Sequence, residues 1–187
     1  FYFEVRHFFK CLRRTNVIAL EILFSTPLEK HEKWDLIVEQ KKNLVDPTYL
    51  YKSLIGYAHG EGRLMRGERT GLLGSKRKQA LDQFGYSPKN AVQMLRLFWC
   101  GSHFFQTGIF PVNISITNEV LANKLLDIKL NPQNYKLEDI EKEIQNLRSQ
   151  FERDFTNTKI LTEYKYDLKI VTNLCVQLYL PFLRCRL

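Results

Sequence analysis

The chain lacks a cysteine framework. Its four cysteines, Cys11, Cys100, Cys175 and Cys185, are scattered, with no CxxC pair and no Cys/His cluster at zinc spacing. That excludes a disulfide scaffold and a structural zinc finger. Reduced thiols in apolar surroundings point to a cytoplasmic setting. No apolar run is long enough to span a bilayer, so no membrane partner is expected. The P-loop spacing is missing, and so are internal repeats and low-complexity segments. There is neither a signal-peptide pattern nor a first methionine. The expectation is a fragment, a processed product, or a separate N-terminal part.

The residues that are present describe a packed, basic protein. Of 187 residues, 44% are hydrophobic and 13% aromatic, which excludes a disordered chain. The length allows one domain or two small lobes. The net charge of +8 favours polyanionic partners without choosing among them.

The chain is organised around the stretch from Gly85 to Gly101, which reads as one buried helix with a polar edge. Ser87 suits an N-cap, Pro88 the first helical position, and Gly101 a stop. Ala91, Leu95 and Phe98 line one apolar face. Lys89, Gln93 and Arg96 fall at i, i+4 and i+7 on a single edge, which can present two cations and an amide to one ligand. By spacing alone the same edge also describes a solvated helix face.

Elsewhere the periodicity predicts helices over Glu4 to Arg14, Val17 to Phe24, Leu28 to Leu44, Thr48 to Ala58, Glu119 to Leu130, Leu137 to Phe155 and Leu168 to Leu180. Asn16 and Asn118 read as N-caps. Phe1 to Phe3 and Ile109 to Ile116 read as short extended segments, the second kept off a sheet centre by Pro111. His59 to Lys78 mixes five glycines with six cations. It reads either as a solvated basic loop or as a weak phosphate-binding loop.

These residues carry a resemblance. Gly85-Tyr86, Lys89, Gln93-Met94-Leu95-Arg96-Leu97 and Thr107-Gly108 resemble the nucleotidyltransferases of the DNA polymerase β superfamily, in the RNA-repair-associated (RlaP or YcgL-like) branch. Phe3-Glu4-Val5-Arg6-His7-Phe8, Asn16, Leu20-Glu21-Ile22-Leu23 and Gly56-Tyr57-Ala58 extend it over most of the chain. Two positions depart from the pattern: Gln93 stands where the family has a His, and Glu61 where it has a Gln.

The resemblance implies a mainly α chain, α+β in the full family. Residues 1–27 would be the end of the nucleotidyltransferase core and 28–187 a helical C-terminal lobe. It implies a nucleoside triphosphate donor, an RNA or other hydroxyl acceptor, and nucleotide or phosphate binding by Lys89, Gln93, Arg96 and Arg63. It also implies magnesium. The Gly-Ser turn and paired acids that would hold the metal are not recognisable here, because Gly74-Ser75 leads into Lys76-Arg77-Lys78 and Gly101-Ser102 into His103. By resemblance, the third carboxylate falls just before Phe1, so an upstream segment or partner chain is expected to supply the metal site.

Two other functions compete. A non-catalytic RNA-binding helical module needs only the basic loop and the positive balance. A metal-independent ribonuclease would use Arg96 and His103, whose Arg-x6-His spacing resembles the HEPN nuclease motif, although Gly101 is expected to break the helix between them. His7, His31 and His59 read as ordinary histidines. Glu138, Asp139, Glu141 and Glu143 read as a solvated acidic face.

Overall fold

The protein is seen in a computed structural model that describes residues 4–68 and 75–184. Among the described residues every regular element is helical and there is no strand. The chain forms two compact units, one of Phe1–Ser53 with Lys159–Leu187 and the other of Leu54–Thr158.

The first unit begins with α1, Val5–Arg13, and α2, Val17–Phe24. Local chemistry explains both starts. The Glu4 carboxylate accepts from the amides of Arg6 and His7 at 3.1 and 3.0 Å, and Asn16 accepts from Ile18 and Ala19 at 3.0 and 3.3 Å. Each cap satisfies amides that the first helical turn leaves without a partner. Phe8, Phe9, Leu12, Leu20 and Leu23 are buried. A short α3, Trp34–Glu39, places Trp34 with its ring 5.9 Å from Phe8. α4, Pro47–Met65, starts in this unit behind Asp46, whose carboxylate accepts from the amides of Thr48 and Tyr49. The returning chain supplies α10, Ile160–Glu163, and α11, Leu168–Arg184. The amides of Lys165 and Asp167 bond to the carbonyls of Lys42 and Asn43 at 2.8 and 2.9 Å.

The second unit takes α4 from Leu54 onward. It adds α5, Ser75–Phe84; α6, Pro88–Thr107; α7, Ile114–Thr117; α8, Glu119–Leu130; and α9, Leu137–Asn157. α6 is its axis and packs chiefly against α9, then α8. Phe151 of α9 is fully buried, with its ring 5.7 Å from Phe98 and 5.5 Å from Phe105. The amphipathic stripe of α9 therefore serves an internal core, as Ile140, Ile144 and Phe151 are buried.

Several expectations are corrected. Ile109 to Ile116 is not extended into a strand: its end folds into α7, with the Asn113 side chain accepting from the Ser115 amide. The Phe1 to Phe3 strand expectation lies outside the described residues. The helix expected over Leu28 to Leu44 shrinks to α3 and a 3-10 turn at Lys41–Asn43. Much of the stretch read as a loop from His59 is helix, since α4 continues to Met65 and α5 begins at Ser75; residues 69–74 lie outside the described residues. α11 passes Pro181 and ends at Arg184.

Gly101 does not stop α6; Gly108 does, at φ 75°. Gly101 is a packing glycine. A Cβ there would run into the Phe151 ring and lie 2.7 Å from Leu54 Cδ1. Glycine at this position lets α6 approach α9 and α4 closely.

Candidate phosphate-binding edge on α6

α6 is held on several sides. The Tyr86 hydroxyl donates to the Pro132 carbonyl at 3.2 Å, and the Ser87 amide to that of Met65 at 2.9 Å. Ser87 starts the helix, but its side chain makes no capping bond. Its hydroxyl instead donates to Asn90 Oδ1 at 2.6 Å, and Asn90 Nδ2 donates to Glu61 Oε2 at 2.6 Å. Ser87 and Asn90 are each 3% exposed, so the Glu61 carboxylate is tied to the buried side of α6 by a closed polar chain. At the far end Ser102 donates to Asp154, which also accepts from Gln106 and Gln150 at 2.9 Å.

With those sides buried, one edge faces out. Lys89 is exposed and makes no ion pair among the described residues; Gln93 and Arg96 are half-buried on the same edge. Gln93 hydrogen-bonds the side chain of Tyr57 on α4, and Arg96 hydrogen-bonds the thiol of Cys100. Burial pushes the Cys100 thiol up to about 12, so it stays protonated and donates to the Pro111 carbonyl at 3.6 Å. The Tyr57 hydroxyl is likewise raised, first by burial and then by the Glu61 charge, with the Gln93 bond acting against both.

The same edge continues past Gly101. Trp99 and His103 stack with ring centroids 5.4 Å apart and planes 23° from parallel. Burial holds the His103 imidazole below its ordinary value, which favours the neutral ring near pH 7. From Lys89 to His103 the edge is roughly 21 Å long at the helical rise.

Lys89, Gln93 and Arg96 thus share one edge. Arg63 is exposed on α4 and its charge acts on Glu68. It stands two residues beyond Glu61, about 200° around the helix, and so leaves the side of α4 that meets Asn90. Neither of two grooves includes these four residues. One, of about 540 Å³, has Met94 and Phe98 in its floor and Arg66 and Arg148 at its rim; the other, of about 870 Å³, lies against Phe8 and Trp34 in the first unit.

Sequence reasoning, which met Tyr57 within Gly56-Tyr57-Ala58, missed it as a partner of this edge. It is 41% exposed. The signal available was its i, i+4 relation to Glu61, usable only once α4 is known to pass Gly60. Among the described residues no three His, Cys, Asp or Glu side chains converge on a metal position. Nor is any helix among them long and apolar enough to cross a membrane.

The chain matches no family model, no curated protein and no solved structure.

Proposed function

We propose that the α6 edge binds the phosphates of a nucleotide, and that the chain is the donor-holding helical part of a nucleotidyltransferase acting on RNA. One observation carries the reading. Lys89, Gln93 and Arg96 lie along the outward edge of a helix whose remaining faces are packed, and Lys89 makes no ion pair among the described residues. The buried faces prevent α6 from turning that edge away. Lys89 supplies a mobile charge, and Arg96 a planar fork suited to two phosphate oxygens. Gln93, anchored by Tyr57, is a neutral donor where the family pattern has an imidazole. The ordering cost of these side chains is reduced because Gln93 and Arg96 already have partners on the protein.

Magnesium would supply charge neutralisation at a triphosphate, but its ligands are not assembled among the described residues, and no step is assigned to it. Nucleotide binding is the function that this chain's own residues support. Equilibrium binding of a fluorescent ATP analogue tests it. Lys89→Ala and Arg96→Ala should each weaken binding several-fold, with Gln93→Ala milder. Unchanged binding in Lys89→Ala/Arg96→Ala overturns the proposal. RNA binding without nucleotide binding would leave the non-catalytic RNA-binding module.

A second reading gains from the course of α6. Because Gly101 lies inside the helix, Arg96 and His103 stand two turns apart on one face, not across a break. A neutral His103 can accept a proton from a ribose hydroxyl while Arg96 stabilises the phosphate charge. Metal-independent RNA cleavage in chelator, abolished by His103→Ala, is its test; no cleavage removes it.

A further inference from the structure

The first unit carries a second concentration of positive charge. Between Glu4 and Arg14 there are four cations, Arg6, Lys10, Arg13 and Arg14, against the single acid Glu4. They recur at i, i+4, i+7 and i+8, so Arg6, Lys10 and Arg13 share the face of α1 opposite Phe8, Phe9 and Leu12, and Arg14 follows as its C-cap. All four are exposed, and Lys10, Arg13 and Arg14 make no ion pair among the described residues.

Helix electrostatics explain only part of this set. Lys10 and Arg13 sit in the last turn, where the macrodipole favours cations. Arg6 sits in the first turn, where the dipole opposes one. It is held there by α11: its guanidinium lies 5.6 Å from the centre of the Tyr179 ring, and the Tyr179 hydroxyl bonds the Glu4 carboxylate. At the other end Tyr166 is near enough to Arg13 for the guanidinium to act on its hydroxyl. The cationic face is therefore bordered at both ends by half-buried tyrosines from the α11 side.

We propose that this face of α1, flanked by Tyr166 and Tyr179, binds single-stranded nucleic acid, with phosphates on Arg6, Lys10, Arg13 and Arg14 and bases against the tyrosine rings. Cations interleaved with aromatic faces suit a strand whose bases are unstacked. A duplex keeps its bases stacked and would leave the rings unused. An acidic membrane would draw in apolar side chains from the same face, but those of α1 are committed to the core, Phe9 at 2% and Leu12 at 0% exposure. This inference does not depend on the nucleotide reading of α6, which concerns other residues and has its own assay.

The test is fluorescence anisotropy of a labelled 12-nucleotide oligouridine, titrated at several salt concentrations. Each phosphate contact on a single strand adds about 0.7 to the slope of log affinity against log salt. The triple variant Lys10→Gln/Arg13→Gln/Arg14→Gln should bind more weakly and lose about 2 from that slope. Arg13→Lys/Arg14→Lys, which keeps the charge, should hold the wild-type slope. Tyr166→Leu should weaken binding with the slope unchanged. A wild-type slope in the triple variant overturns the inference, as does binding to phosphatidylserine vesicles with none to oligouridine. Unaltered affinity in Tyr166→Leu overturns the stacking half.

Discussion

Replacing Gly101 with alanine sets two effects of opposite sign against each other. In a helix interior, alanine is intrinsically better than glycine by about 1 kcal/mol. At Gly101 the added methyl meets the Phe151 ring and comes within 2.7 Å of Leu54 Cδ1. Neither neighbour can yield easily: Leu54 and Phe151 are both 0% exposed, and the Phe151 ring is hemmed in by Phe98 and Phe105. Overpacking of this kind costs about 1–3 kcal/mol or more, and the closeness of the contacts puts Gly101→Ala at the upper end. The net expectation is a loss of about 1–2 kcal/mol after the propensity gain. Gly60→Ala is the internal control. Gly60 lies in α4 with nothing within 4 Å of its would-be Cβ, so the propensity gain of about 0.5–1 kcal/mol should stand alone. Urea unfolding of both variants, followed by far-UV circular dichroism, reads the difference. Shrinking the obstacle in Gly101→Ala/Phe151→Leu should recover part of the loss relative to Phe151→Leu alone. If Gly101→Ala is as stable as Gly60→Ala, the close approach of α6 to α9 is wrong.

Two further outcomes follow from the polar bonds. Asn90→Ala leaves the Ser87 hydroxyl and the Glu61 carboxylate without their shared partner, and should cost about 1–3 kcal/mol in the same unfolding assay; Asn90→Asp should be worse at pH 7, because it sets a second carboxylate against Glu61. Asp127 is held below its ordinary carboxyl value by the Tyr135 hydroxyl first and the Asn131 amide second. A depressed carboxyl contributes stability above its unfolded pKa and loses it as pH falls through the folded value. Tyr135→Phe should therefore move the Asp127 titration upward by NMR, and its stability deficit should shrink as the medium is acidified below the usual carboxylate range. An unmoved titration would show that the hydroxyl does not reach Asp127.

Much of the helix pattern is legible in the sequence because it is local. Asn16 and Asn118 cap the helices that follow them, since a short amide side chain reaches amides two or three residues ahead whatever the surroundings. The stripe through Ile140, Ile144 and Phe151 identifies α9 and its buried side for the same reason of spacing. The shared edge of Lys89, Gln93 and Arg96 is of this kind too. Each of these readings needs only the helical repeat and the reach of a side chain.

The glycines and the polar partners are different, because their meaning depends on distant residues. Gly101 could be a stop or a point of close packing, and only Leu54 and Phe151, far away in the chain, decide it. Gly60 and Gly62 look like loop residues, yet Gly62 is buried beside Met94 within α4. Tyr57 becomes a partner of Gln93, and Glu61 of Asn90, only when α4 lies against α6. The sequence by itself determined which residues share a helix face, since that follows from a repeat of 3.6 residues. Tertiary packing decided which face is solvent, which glycine is a contact and which side chains meet, because those depend on separations that the order of residues does not contain.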